Sequence, residues 1–163
     1  MDKKEKLHKR LYVMAGYLIM FAIGFVMAGR QLVLPDIMAD FAMGNTGVGI
    51  FVALQSAAVL MTNLTFSGLT DRINKKLVIG IFGIISTVGA FLGYFSAGIF
   101  VVGLSVFVFG IGFAIVNGTM AATLLETEPE KSSKFTNITQ IFYSVGAVAA
   151  PVILSWMLEG GMH

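Results

Sequence analysis

The sequence predicts an all-α fold, a polytopic transmembrane helix bundle of five spans. Hydrophobic residues make up 56% of the 163 positions and charged residues 12%, too little polar surface for a water-soluble globule of this length. Five apolar segments, at 11–34, 46–67, 77–97, 99–124 and 135–158, each reach the about 20 residues that cross a bilayer's hydrocarbon. The cations are segregated between those segments. Lys3, Lys4, Lys6, Lys9 and Arg10 precede the first, Arg72, Lys75 and Lys76 separate the second from the third, and Lys131 and Lys134 separate the fourth from the fifth. The other two connections and the C-terminal tail carry neither Lys nor Arg, so the positive-inside rule places the N-terminus in the cytoplasm. The organisation is a basic segment over 1–10, a five-helix bundle over 11–158 and a short tail over 159–163.

The first span starts after Arg10 and runs well beyond the length of a signal-peptide core, so it is read as an uncleaved span. Its exit holds Pro35, Asp36 and Asp40, and the sequence Gly44, Asn45, Thr46, Gly47 predicts a loop followed by a capped helix start. The second connection is short and charged. Only Ser96, Ala97 and Gly98 separate the third and fourth spans, which requires an antiparallel hairpin. Residues 126–134 form a polar loop with one Pro. Small residues recur four apart, as Gly24 and Ala28, Gly89 and Gly93, and Gly146 and Ala150, and predict close helix contacts. The Met and Phe residues read as core or lipid-facing filler.

Composition also narrows the function classes. Without Cys there is no disulfide, thiolate metal site or cysteine nucleophile, and His8 and His163 stand at opposite ends of the chain. There is no phosphate-binding Gly loop, no Ser–His pairing and no carboxylate pair in a span, so neither an enzyme nor a cofactor or metal is indicated. The formal net charge of +2 follows from topology and makes no case for nucleic acid. The expected surroundings are membrane lipid.

Residues 66–77, Phe-Ser-Gly-Leu-Thr-Asp-Arg-Ile-Asn-Lys-Lys-Leu, resemble the loop between helices two and three of the major facilitator superfamily, whose pattern is GxLaDRxGRK. Leu69, Asp71, Arg72, Lys75 and Lys76 match it, whereas Ser67 and Asn74 stand where glycines are expected. Asn tolerates a left-handed turn better than other non-Gly residues. Residues 33–41 are similar to the end of the first helix in that superfamily, and residues 117–151 resemble its fucose-permease branch. The resemblance implies a secondary transporter moving a small polar or anionic solute, such as a sugar or organic anion, by alternating access. It also implies localisation in the cell membrane.

The superfamily has twelve helices in two halves, with the solute site between them. Five helices correspond to a partial N-terminal half, so a truncated product, a fragment and one subunit of a split transporter all remain open. The competing function is a non-transporting accessory membrane protein that assembles with another subunit. A complementary transporter half is the partner the first reading implies.

Candidate site residues follow. Arg30 is the one cation inside a span, and Val26, Met27, Val33 and Leu34 at helical spacing offer it no carboxylate. It either snorkels to headgroups or Asp36 and Asp40, or faces a cavity and binds an anionic group, with Gln31 beside it. Asn137, Gln140 and Ser144 share one face of the fifth span, flanked by Tyr143, and amides on such a face suit a hydroxyl-rich solute or an interhelical contact. Gln55, Asn63 and Asn117 are further polar groups inside spans. The resemblance makes Asp71 and Arg72, with Lys75 and Lys76, a gate in which Arg72 pairs with an acid ending helix four, here Glu126. No span interior contains Asp or Glu, so the carboxylates expected of the branch's proton symporters are missing.

Overall fold

The computed structural model describes residues 3–66, 68, 73–94, 98–127 and 132–159. They form five α-helices: α1 (Lys3–Asp40), α2 (Gly44–Phe66), α3 (Lys75–Tyr94), α4 (Ile99–Thr127) and α5 (Ser132–Glu159). Each contains a stretch long and apolar enough to cross a membrane. Many large apolar side chains face outward, among them Leu64, Ile84, Phe100, Val148 and Trp156. In water such a surface would aggregate. In a bilayer it is the face that lipid covers.

Helix boundaries differ from the sequence expectation by up to three residues at most ends and by more in α1, which begins at Lys3 instead of residue 11. α1 runs through Pro35 to Asp40 instead of ending at residue 34. Pro35, which is exposed, deprives the Gln31 carbonyl of its N–H partner without ending the helix. The helix stops at residue 40 in a Schellman arrangement. Met43 N–H donates to the Met38 carbonyl and Ala42 N–H to the Ala39 carbonyl, both at 2.9 Å, with Ala42 left-handed at φ 55°. α2 then starts at Gly44, with the Met43 carbonyl accepting from Gly47 N–H at 3.2 Å. Asn45 and Thr46 therefore lie inside its first turn, and neither caps it.

Contacts divide the chain into two compact units, residues 1–33 with 121–163, and residues 34–120. In the first, α1 lies parallel to α5, because contacts advance together along both helices. Phe21 meets Gly146, Gly24 meets Tyr143 and Ala147, and Gly29 meets Ala150 and Leu154. Tyr17 stacks on Phe142 with ring centroids 5.0 Å apart. Thr139 is buried in this unit, and its hydroxyl donates to the Phe135 carbonyl at 2.7 Å, so no polar hydrogen is stranded.

In the second unit α4 lies between α2 and α3, and half of its apolar span is buried, 50% against 22% or less for the others. Gly103 and Gly110 receive Phe51, Leu54, Gln55 and Ala58 of α2. On the other side, Gly89 of α3 meets Phe109, Gly93 meets Ser105, and Gly112 of α4 meets Phe82 and Ser86, the opposed numbering of an antiparallel hairpin. Thus Gly89 and Gly93 make the close contact their spacing predicts. Met38, Phe51, Val102 and Val106 form the apolar core at one end of this unit.

Candidate solute-path and gating residues

α5 carries the polar stripe on a face of its own. Asn137, Gln140 and Ser144 are all exposed and lie about 120° around the helix from the row that packs on α1. Ser155 falls on the same face and is also exposed, with half-buried Pro151 between. Serine near a helix end is an ordinary residue, and the sequence signal that links Ser155 to the stripe is its spacing of eleven from Ser144. Tyr143 belongs elsewhere. Its backbone carbonyl sits against Gly24, and its half-buried side chain flanks the stripe from the α1-facing side.

Arg30 is half-buried, with its Nη1 atom buried. It lies about 180° around α1 from the row facing α5. The parallel register sets it level with residues near 152 of α5, roughly 20 Å along the axis from Asn137 and roughly 12 Å from Ser144. Arg30 and the amides of Asn137 and Gln140 thus stand at different levels along the α1–α5 pair. Because α1 continues past Pro35, Asp36 stands roughly 9 Å beyond Arg30 along the axis, and neither it nor Asp40 falls at an i+3 or i+4 position. Gln31 is exposed.

In the second unit, half-buried Gln55 packs on α4, where a Cβ at Gly110 would stand 3.6 Å from Gln55 Cγ. Asn117 is half-buried two turns from Gly110 on the same row of α4, while Asn63 is exposed. Gln55 thus participates in helix packing.

The loop motif for which the resemblance implies a gate is partly described. Asp71 and Arg72 lie outside the described residues, so the expected pairing of Arg72 with Glu126 does too; Glu126 itself is exposed in the last turn of α4. Asn74, in place of the family's glycine, is the N-cap of α3. Its Oδ1 accepts from Lys76 N–H at 3.0 Å and its carbonyl accepts from Leu77 N–H at 2.9 Å, without a positive φ. The left-handed turn that asparagine would tolerate there is not adopted. Half-buried Lys75 and exposed Lys76 occupy the first turn, which contains no acidic residue of its own and where the helix dipole disfavours cations.

A family model described as Major Facilitator Superfamily matches residues 16–162, nearly all of the helical chain. No curated protein and no solved structure matches.

Proposed function

This chain belongs to the major facilitator superfamily, and we propose that it is a unit of a secondary transporter that moves a small polar solute, with the α5 stripe lining the aqueous path. The observation that carries this reading is the exposed row of Asn137, Gln140, Ser144 and Ser155 along a helix of membrane-spanning length. Uncovered amides facing acyl chains would be costly, whereas amides facing water or a hydroxylated solute keep their hydrogen bonds. A sugar-like solute fits that chemistry. Arg30, at a different level and on the other side of α1, acts as a separate electrostatic element, attracting an anionic group or pairing in one state of the cycle.

In this reading Asp71, Arg72, Lys75, Lys76 and Glu126 form a gate at the inner ends of the helices, with the N-terminus cytoplasmic as the cation distribution requires. A gate of this kind acts by charge-assisted pairs made in one conformation and broken in the other.

The same exposed amides also suit a subunit whose stripe is covered by another protein, which is the second reading. Proteoliposomes containing the full chain, assayed for uptake of labelled sugars and organic anions, separate the two. Saturable uptake of a polar solute that Gln140→Ala diminishes supports the transporter unit; absence of uptake across the panel, with the stripe shielded by a co-purifying membrane protein, supports the accessory role.

A further inference from the structure

The first helix does not begin at the membrane. α1 extends without interruption from Lys3, so the basic run and the first span share one helix. Its 38 residues measure roughly 57 Å against about 30 Å of hydrocarbon, so its ends must project beyond the apolar layer. Within the projecting first two turns stand Lys3, Lys4, Lys6, Lys9 and Arg10, offset only by Glu5.

A second feature fixes how that end lies. Leu7, Leu11, Met14 and Leu18 recur at helical spacing and are 56%, 55%, 59% and 62% exposed, so one uncovered apolar ridge runs from inside the span to within the basic run. A leucine as exposed as Leu7 gains nothing from projecting into water. On one rigid helix, the ridge that contacts acyl chains at Leu18 carries the cations to the level where phosphates begin.

We propose that the Lys3–Arg10 turn of α1 is a docking surface for anionic phospholipid headgroups of the adjacent leaflet. The cations attract the phosphate layer, and the ridge seats the helix at the boundary between headgroup and acyl chain. Two opposite charges at this interface interact within a Debye length, so the contact is electrostatic and salt-sensitive. This inference is independent of any transported solute: a chain that carries nothing would still dock lipid in this way.

The test uses the purified full chain in detergent with an equimolar mixture of phosphatidylcholine and phosphatidylglycerol, and native mass spectrometry reads the lipid retained. Wild type is expected to retain phosphatidylglycerol preferentially, and about 1 M salt, where the Debye length is about 3 Å, is expected to erase that preference. Combined Lys3→Gln, Lys4→Gln, Lys6→Gln and Lys9→Gln is expected to lower it by up to about fivefold per cation removed. Leu7→Gln with Leu11→Gln, which leaves all cations in place, is expected to weaken retention of both lipids. Equal retention of the two lipids by wild type, or a preference that survives high salt, overturns the proposal without relying on any variant to fold. Equally strong binding of inorganic tripolyphosphate in the absence of lipid assigns the cluster to soluble polyanions and also overturns it.

Discussion

Gly24 of α1 and Gly146 of α5 are seated reciprocally, each against the other helix's backbone. A Cβ at Gly24 would strike the Tyr143 carbonyl, and one at Gly146 would strike the Phe21 carbonyl, lying 3.0 Å from Phe25 N as well. Carbonyls in a helix cannot swing aside as a flexible side chain does. Association in lipid rests on such close packing, since burial of apolar surface gives helices no advantage over acyl chains. Gly24→Leu or Gly146→Leu should therefore lower stability by about 1–3 kcal/mol, the usual cost of overpacking, or separate α1 from α5 altogether. Thermal unfolding in detergent measures it, and Gly80→Leu, where nothing stands within 4 Å of the new Cβ, should leave stability within about 0.5 kcal/mol.

The turn after α1 holds a built-in strain. Ala42 occupies the left-handed C′ position with φ 55°, where a Cβ costs about 1–2 kcal/mol and glycine is the usual occupant. Part of that cost is returned by the freedom glycine brings to the unfolded chain. Ala42→Gly should stabilise by about 0.5 kcal/mol, and Ala42→Val should destabilise by at least 1 kcal/mol, roughly the cost of a β-branched residue there. Equal melting temperatures for all three would show that the turn relaxes.

Capping at Asn74 gives the opposite pattern. Asn74→Ala should cost about 1 kcal/mol by removing the acceptor for Lys76 N–H. Asn74→Gly should cost only a few tenths of a kcal/mol. That asymmetry would explain how the superfamily's glycine and this asparagine serve one position.

Arg30 should matter to transport by charge and by shape. Arg30→Lys keeps the charge but loses the planar fork, so partial uptake is expected. Arg30→Gln should lower uptake by about tenfold or more, the scale of one charge-assisted contact worth about 1.5–3 kcal/mol. Normal uptake by both variants at matched expression reduces Arg30 to a snorkelling anchor.

Much of this fold is legible in the sequence because a bilayer imposes one length and one composition on every span. The five segments match the five helices, and the Gly89–Gly93 and Gly146–Ala150 pairs lie in the contacts their spacing predicts. Pro35 misleads because proline marks a helix end in most contexts, whereas here it stands among exposed residues and the helix continues past it. The cap at Asn74 was masked by the family pattern, which offers a turn as the simpler explanation. For the site, spacing alone places Asn137, Gln140 and Ser144 on one face. It cannot assign Arg30 to that group, because proximity between helices depends on register, and the register of α1 against α5 is set by Gly24 and Gly146.

Water access along α5 tests the central claim most directly, and the absence of native Cys makes every introduced thiol unique. Single substitutions Gln140→Cys, Ser144→Cys, Ile141→Cys and Val145→Cys, all at exposed positions, are reconstituted in membranes and exposed to a water-soluble maleimide. An aqueous path along the stripe predicts labelling at 140 and 144, slowed by transported solute, with Ile141 and Val145 unreactive in lipid. Labelling at none of the four, or equally at all four, would contradict it.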